Sequence, residues 1–433
     1  MNTNNDTPIN ILQDKTFIDL FAGIGGFHLA LSSLGAKCVF ACEIDKHCRD
    51  VYHKNFGIKP FEDITKIQTD LLPPFDILCA GFPCQSFSHA GKQEGFYDTR
   101  GTLFYDICRI LKDCQPEYFI LENVKNLKSH DQGRTLNIIY DNLHRCGYTM
   151  YDHKDHKDHK DHKDHKDHKD HNNNFTAKDH RNSISPLVLS PHHLGIPQHR
   201  ERVFLIGVRE DRIKGLKMQP FPFPCMVKTD ISSILEPVES SVPSLSPDEM
   251  EVLYLWEEFI QYFKKREIKL PSFPIWTEEW DSSYSITELP SWKQDFMLKN
   301  RIFYETYQEF LVVWLEKARQ CSSFVGSRRK LEWQCGIFEK EDSLWTLLFT
   351  FRPSGIRVKR TNYSPALVAM SQIVHIGSRQ RKLTVREVAR LQSFPDSFVV
   401  ATSSSIAYKQ FGNAVNVHVV RHMITFLFTP TWT

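Results

Sequence analysis

A cysteine at the end of a buried strand is the residue in this sequence best placed to act as a nucleophile. The apolar run at residues 77–80 predicts a short strand, and Gly81 and Pro83 end it just before Cys84. Ligands of open α/β sheets bind at the carboxyl ends of strands, and a thiolate attacks soft electrophilic carbons. A lone cysteine is more often a small buried side chain, so this interpretation depends on the other residues.

Further strand ends carry polar side chains towards the same edge. Residues 118–121 predict a second buried strand, which ends at Glu122. Arg200 and Arg202 alternate along the entry to a strand at 203–207, so they share a face. A carboxylate and a thiol from neighbouring strand ends can meet at one substrate, and an arginine pair orients a carboxylate or binds a phosphate. The alternatives are a structural acceptor for Glu122 and a surface salt-bridge pair for the arginines.

The N-terminal stretch has the form of a nucleotide-binding opening. A strand pattern at 16–21 leads through the turn Ala22-Gly-Ile-Gly-Gly26 into a helix pattern at 27–34. The turn does not match GxGxxG, and no Walker lysine is present, so a pyrophosphate is not indicated and a plain strand–helix turn is equally compatible. Glu43, after a strand at 37–42, suits a ribose diol or a solvated surface. Asp63 suits an adenine amine or a helix cap.

Length and composition place the chain among globular proteins. Its 433 residues suffice for two or three domains, with 41% hydrophobic and 24% charged residues. A net charge of +2 requires any nucleic-acid surface to be local. Eleven cysteines without a CxxC pair argue against a disulfide framework or structural zinc, and no metal site is predicted. Without a run of about 18 apolar residues or an apolar signal segment, we expect a cytoplasmic protein that does not span a membrane.

The alternation of strands and helices indicates an α/β sheet, and two regions interrupt it. Asp-His-Lys repeats fill residues 152–171 and asparagines follow to 174, so the absence of apolar residues predicts a disordered insertion. From about 214 to 379 the rhythm is lost, and basic clusters lie among prolines and aromatics, which suits a phosphate backbone or a solvated face. Helix patterns resume at 386–393, and residues 410–416 are predicted to open a last helix. We therefore predict one domain from 1–213 plus 394–433 and a second from 214–393.

Five of these stretches, in this order, resemble the motifs of the bacterial DNA (cytosine-5)-methyltransferases. They are an opening cofactor motif at 19–27, a nucleophile loop at 81–88, a base-binding motif at 122–124, an arginine motif at 198–202 and a closing motif at 410–415. The resemblance covers about 16–208 and 382–417. It implies an α/β, Rossmann-like S-adenosylmethionine-dependent methyltransferase sheet with a smaller, irregular target-recognition domain. The sequence departs from the family in its Asp-His-Lys tract and at Ala366-Leu367, where the family has a Thr-Leu pair that bears on contact with the flipped strand.

The resemblance implies transfer of a methyl group from S-adenosylmethionine to C5 of a flipped-out cytosine in a specific DNA sequence. Cys84 would add to C6, Glu122 would hold the N3 edge, Arg202 would bind O2, and Arg200 would support the loop or a phosphate. The cofactor would be held by Phe21, Ala22, Gly23, Ile24, Gly25, Gly26, Glu43, Asp63, Pro83, Leu103 and Asn413. DNA would be contacted by Gln85, Ser86, Ser88, Gln198, Arg200, Lys359 and Arg360.

Other functions remain open at this point. An RNA cytosine-5 methyltransferase would use the same chemistry on the same scaffold. A catalytically silent DNA-binding module would only occupy sites, and intact Cys84, Glu122 and Arg202 argue against it. A thiol enzyme with other substrates leaves the arginine motif unexplained. The expected partner is double-stranded DNA, and the family often works with a restriction endonuclease; we expect a monomer.

Overall fold

The computed structural model describes residues 10–83, 103–152, 185–213, 220–223, 227–237, 244–280, 284–367 and 372–428. Cys84, Gln85, Ser86 and Ser88 lie outside the described residues, as does the Asp-His-Lys tract after Asp152. The chain divides into two compact units, of which the first combines Met1–Val227 with Ala389–Thr433 and the second spans Lys228–Val388.

A seven-stranded sheet forms the centre of the first unit. Its first strands, which run parallel, are β1 (Thr16–Leu20), β2 (Lys37–Cys42), β3 (Ile77–Gly81) and β4 (Tyr118–Val124). The chain continues with β5 (Tyr148–Met150), β6 (Leu187–Leu189), the two-residue β7 (Gln198–His199) and β8 (Arg202–Arg209). The order is β2-β1-β3-β4-β8-β5, with β6 also paired to β8, which is antiparallel to its neighbours. The carboxyl ends of β1, β3 and β4 therefore lie side by side, at the edge where open α/β sheets bind ligands.

The helices between these strands follow from local signals in the sequence. They are α1 (Gly26–Ser32), α2 (Lys46–Phe56), α3 (Leu103–Cys114) and α4 (Arg134–Arg145). Asp45 caps α2 by accepting hydrogen bonds from the backbone N–H groups of His47 and Cys48, and Gly57 ends it at φ 72°. On α3, the apolar residues Phe104, Ile107 and Leu111 repeat at helical spacing and are buried in the core of the unit.

The second unit contains regular helices and strands, although the sequence predicted that the strand–helix alternation is lost there. Its elements are α5 (Pro247–Lys265), β9 (Ile275–Trp276), α6 (Ser291–Thr306), α7 (Gln308–Gln320), β10 (Lys330–Trp333), β11 (Leu348–Arg352), β12 (Gly355–Lys359), β13 (Ser364–Pro365), β14 (His375–Ile376), β15 (Arg381–Lys382) and the start of α8 (Val385–Leu391). Six strands form a sheet in the order β15-β14-β11-β12-β10-β9. Trp256, Phe259 and Phe263 recur at helical spacing on α5 and pack with Trp314 into one aromatic core, which explains why aromatic residues are so frequent here.

The chain returns to the first unit through α9 (Ser404–Asn413) and α10 (Val417–Phe428). The prediction that residues 410–416 open a last helix is wrong, because residues 410–413 end α9 and residues 414–416 lie between it and α10, with an extended backbone at Ala414. The amide groups of Gln392 and Asn416 donate to the carbonyls of Phe411 and Leu391, which ties residues 389–392 to the first unit. No helix within the described ranges is long and apolar enough to cross a membrane.

Candidate active site

The turn between β1 and α1 is open at one glycine and closely packed at another. Phe21 and Gly23 have left-handed backbones, with φ of 52° and 54°, and Gly25 has φ of 91°. A Cβ built on Gly23 would have no heavy atom within 4 Å, whereas one on Gly25 would lie 2.2 Å from the ring of Phe56. The turn therefore leaves space for a ligand beside Gly23, while its other side is fixed by the packing of α2.

The carboxylate of Glu43 is fixed at the end of β2. Its two oxygens accept hydrogen bonds from the backbone N–H groups of Gly23 and Asp45, each at 2.8 Å. Burial raises the pKa of Glu43, and the two backbone hydrogen bonds lower it. Glu43 is therefore a half-buried, ordered carboxylate and not a freely solvated one. The neighbouring Ile44, which sequence reasoning missed, exposes 75% of its surface beside this ordered carboxylate.

The other residues predicted to hold the cofactor occupy different kinds of position. Asp63 caps a short 3₁₀ turn, because its Oδ1 accepts from the hydroxyl and the N–H of Thr65 at 2.7 and 3.0 Å. The bonds to Thr65 lower the pKa of Asp63. This is the capping role that the sequence left open. Leu103 begins α3 and packs against the core, while Pro83 and Asn413 are exposed.

Glu122 and Arg202 form a largely buried ion pair where β4 meets β8. The distance from Arg202 Nε to Glu122 Oε1 is 3.0 Å, and the two side chains are 18% and 10% exposed. Gly81, at the end of β3, pairs with Glu122, and a Cβ built on Gly81 would lie 3.5 Å from Glu122 Oε2. The Glu122 carboxylate therefore lies beside the end of β3, the strand that leads to Cys84. Burial raises the pKa of Glu122, and the charges of Arg202 and Arg200 lower it.

Asn123 links the end of β4 to the same segment. Its Nδ2 donates to the carbonyl of Phe82 at 2.9 Å, and its Oδ1 accepts from the N–H of Val124 at 2.8 Å. The side chain is only 3% exposed. Asn123 therefore fixes the backbone two residues before Cys84. Sequence reasoning placed Asn123 in a motif without giving it a role, although its position directly after Glu122 was a signal.

Arg200 is buried and bonds to the backbone of the first unit. Its Nη2 donates to the carbonyls of Gly412 and Ala414 at 2.9 and 3.0 Å, and the residue is 2% exposed. Burial lowers the pKa of Arg200 to about 9. Of the two roles predicted for it, this arrangement favours support of a loop over contact with a phosphate. Gln198, also predicted to contact DNA, has no exposed surface.

Two adjacent cations of the second unit, both predicted to contact DNA, have different surroundings. Arg360 donates to the carbonyls of Cys335 and Ile337 and to the carboxylate of Asp342, so it holds together the loop that follows β10. The ammonium of Lys359 lies 5.1 Å from the ring centroid of Tyr363. Burial lowers the pKa of Lys359, and the charge of Arg357 lowers it further.

The parallel-rich sheet has the α/β fold of S-adenosylmethionine-dependent methyltransferases. Solved structures share this fold. The structure of a Spodoptera frugiperda DNMT2 mutant is 19% identical with a TM-score of 0.51, covering 96% of this chain and 100% of that chain. A putative DNA modification methyltransferase encoded within an E. coli prophage is 19% identical with a TM-score of 0.50, covering 96% and 99%. The predicted α/β methyltransferase fold is confirmed.

The model of the family described as C-5 cytosine-specific DNA methylase matches residues 15–154 and 156–428. Relatives named as type II methyltransferases include M.HhaI of Haemophilus parahaemolyticus, 32% identical over 95% of this chain and 94% of its own length. M.HpaII of Haemophilus parainfluenzae is 33% identical over 95% and 88%, and M.AluI of Cellulosimicrobium cellulans is 30% identical over 94% and 91%. The chain belongs to the C-5 cytosine-specific DNA methylase family. It is a restriction-modification type enzyme that methylates cytosine C5 in DNA with S-adenosylmethionine, as the sequence predicted, and covalent catalysis and base flipping are typical of that family.

Proposed function

We propose that Cys84, Glu122 and Arg202 together methylate C5 of a cytosine flipped out of a specific double-stranded DNA sequence. The observation that carries this proposal is the 3.0 Å ion pair of Glu122 and Arg202 beside the end of β3. Cys84 follows Gly81 by three residues, which span about 10 Å of extended chain. The thiol is therefore close enough in the chain to act on the same ring as Glu122.

The chemistry needs a nucleophile at C6 and a proton at N3. The Cys84 thiolate forms a bond to C6 while Glu122 donates its proton to N3, so that C5 gains the electron density of an enamine. Burial supports this role because it raises the pKa of Glu122 and so favours the protonated acid. Arg202 orients the Glu122 carboxyl through Nε and stabilises charge at O2 of the base.

The methyl group comes from the sulfonium of bound S-adenosylmethionine, which supplies an electrophilic carbon. Once C5 carried the methyl group and S-adenosylhomocysteine had left as the neutral thioether, a base would remove the C5 proton, and the electron pair of the C5–H bond would expel the Cys84 thiolate from C6. The N3 proton would return to Glu122, so that the products would be 5-methylcytosine, S-adenosylhomocysteine and the regenerated thiolate. Asn123 contributes to the position of Cys84, because it donates a hydrogen bond to the Phe82 carbonyl two residues before it.

The residues around the glycine turn fit S-adenosylmethionine. We assign its methionine part to residues 21–26, its ribose to Glu43 and its adenine to Asp63, with contacts from Pro83, Leu103 and Asn413. The open space beside Gly23 and the preset orientation of Glu43 support this assignment. The Glu43 oxygens accept backbone hydrogen bonds from Gly23 and Asp45, and a carboxylate has about four acceptor sites, which leaves capacity for a ribose hydroxyl. The exposed Ile44 offers an apolar surface for the adenine plane.

The second unit is proposed to read the sequence around the target, and Gln85, Ser86 and Ser88 to contact the DNA near the flipped base. Lys359 is retained as a DNA contact, whereas Arg200 and Arg360 are assigned to positioning because both bond to the protein backbone. A cognate endonuclease is the proposed partner, since the relatives are named type II methyltransferases. We propose a monomer that acts in the cytoplasm, where bacterial DNA lies.

Replacing Cys84 by alanine tests the proposal. Cys84→Ala should abolish the transfer of a tritiated methyl group to DNA, while binding of DNA and S-adenosylmethionine persists, because both rest on other residues. Cys114→Ala is the matched control, since Cys114 is a half-buried thiol at the end of α3. Methyl transfer by Cys84→Ala within tenfold of the wild type would rule out the assignment.

A further inference from the structure

The sheet of the second unit has one apolar face and one charged face. Leu331, Phe349, Ile356 and Val358, on the central strands, pack into the core of the unit. Because side chains alternate along a strand, the intervening residues lie on the opposite face. These intervening residues are Lys330, Glu332, Leu348, Thr350, Arg352, Gly355, Arg357 and Lys359, of which Leu348 and Thr350 are buried. This charged face therefore carries four cations and the carboxylate of Glu332, and Lys330 also lies 3.4 Å from Glu278.

The carboxylate fixes one of the arginines. Glu332 and Arg357 are partners in the register of β10 and β12, and Arg357 Nε donates to Glu332 Oε2 at 2.7 Å. Arg352 Nη1 lies 3.7 Å from the same oxygen. The Arg357 side chain is 27% exposed. Among the described residues, its Nη groups make no hydrogen bond, so they are available to a ligand.

A guanidinium held in this way suits a base edge better than a phosphate. The planar fork can donate two parallel hydrogen bonds, and a bidentate contact with O6 and N7 of guanine is the commonest specific contact in the major groove. The charge of the nearby Glu332 opposes the approach of a phosphate anion more strongly than that of an uncharged guanine edge. A fixed orientation also matters more for a base, since hydrogen bonds weaken steeply when misaligned.

We infer that Arg357, oriented by Glu332, reads a guanine of the recognition sequence in the major groove. The inference rests on the proposed function, because it takes duplex DNA as the substrate. Every site that contains a target cytosine also contains a guanine on the opposite strand. Lys359, on the same strand and face, has no carboxylate within ion-pair distance among the described residues and serves as a contrasting phosphate contact.

The test compares Arg357→Gln with Lys359→Gln in the full chain. Each variant methylates a library of duplexes in which the wild-type recognition site is changed one base pair at a time, and bisulfite sequencing reads the products. Arg357→Gln should lose about tenfold to a hundredfold of discrimination at one guanine position and keep it elsewhere. Lys359→Gln should keep the site, lower kcat/KM equally for all duplexes and reduce the salt slope of DNA binding by about one.

The results for the two variants distinguish a base contact by Arg357 from a phosphate contact. A folded Arg357→Gln with an unchanged site contradicts the inference, and a salt slope lowered as in Lys359→Gln would then show that Arg357 contacts a phosphate. If thermal melting shows that Arg357→Gln does not fold, Glu332→Gln replaces it, and discrimination should weaken at one guanine. Unchanged discrimination in an active Glu332→Gln also contradicts the inference. A wild-type chain that methylates no DNA would instead contradict the proposed function.

Discussion

Arg202 Nε lies 3.0 Å from Glu122 Oε1, so a cation from the first residue of β8 sets the electrostatic state of an acid on β4. Burial of Glu122 opposes its ionisation, and the guanidinium favours it. The balance between these two effects gives Glu122 a pKa above its ordinary value, and it makes Arg202 the residue through which that pKa can be changed.

Replacing Arg202 with glutamine should move the titration of Glu122 to higher pH. Arg202 lowers the pKa of Glu122, so its removal raises that pKa. The limb of the pH profile of kcat/KM that reports Glu122 should therefore shift upwards, and kcat should fall by about a hundredfold or more. Arg209→Gln, at the other end of β8 and paired with Asp211, is the control. A profile that keeps both limbs in place would show that the ion pair does not set the pKa of Glu122.

The glycine turn predicts unequal costs for two alanine substitutions. Gly25→Ala should lower the free energy of unfolding by about 2–4 kcal/mol, because φ is 91° and the new methyl group meets the ring of Phe56. Gly23→Ala should cost about 1 kcal/mol, since space is open there, but it should raise the KM for S-adenosylmethionine by filling that space. Urea unfolding and steady-state kinetics measure both effects. Equal unfolding free energies of Gly25→Ala and Gly23→Ala would contradict the difference in packing between the two glycines. An unchanged KM for S-adenosylmethionine in Gly23→Ala would contradict a cofactor site beside Gly23.

Arg200→Met should destabilise the protein without changing how DNA binding depends on salt. The substitution leaves the buried carbonyls of Gly412 and Ala414 without their donor, at a cost of about 2–4 kcal/mol in unfolding free energy. Urea unfolding measures the cost, and DNA binding at several salt concentrations gives the slope. A slope reduced by about one, as expected for Lys359→Gln, would show that Arg200 contacts a phosphate after all.

His28 should make the stability of the first unit depend on pH. Burial lowers its pKa from 6.5 to about 4, and its ring stacks on Phe56 and bonds to the hydroxyl of Tyr52. The unfolded chain takes up the proton first as the pH falls, so this stabilisation is fully present above pH 6.5 and is lost towards pH 4. Between pH 7 and pH 4, the unfolding free energy of the wild type should therefore fall by about 3 kcal/mol more than that of His28→Gln. Parallel pH dependences would contradict a neutral buried histidine.

The sequence predicted strand ends well because short apolar runs are bounded there by glycine, proline or charge. The bounds of β2 agree with the prediction, and β4 carries Glu122 as expected. Partners could not be predicted in this way. The alternation placed Arg200 and Arg202 on one face, yet Arg202 bonds to Glu122 and Arg200 to carbonyls more than 200 residues away.

The same limit applies to the second unit. Lys359 and Arg360 are adjacent in one basic cluster, but Arg360 closes a loop of its own unit and Lys359 lies beside Tyr363. The spacing of charged residues predicts the face on which a side chain lies, but it does not predict which group that side chain contacts. The helical spacing of Trp256, Phe259 and Phe263 was present in the sequence, and the surrounding aromatic residues obscured it.

The most direct measurement of the central claim traps the bond between Cys84 and C6. Duplex DNA with 5-fluorocytosine at the target, located beforehand by bisulfite sequencing, has no removable C5 proton, so the thiolate is not expelled. With S-adenosylmethionine, the wild type and Cys114→Ala should give a protein–DNA band that survives denaturing electrophoresis, and peptide mapping should place the link at Cys84. The band should be absent without S-adenosylmethionine and in Cys84→Ala. A stable band in Cys84→Ala, or none with a wild type that methylates ordinary DNA, would contradict covalent catalysis by Cys84.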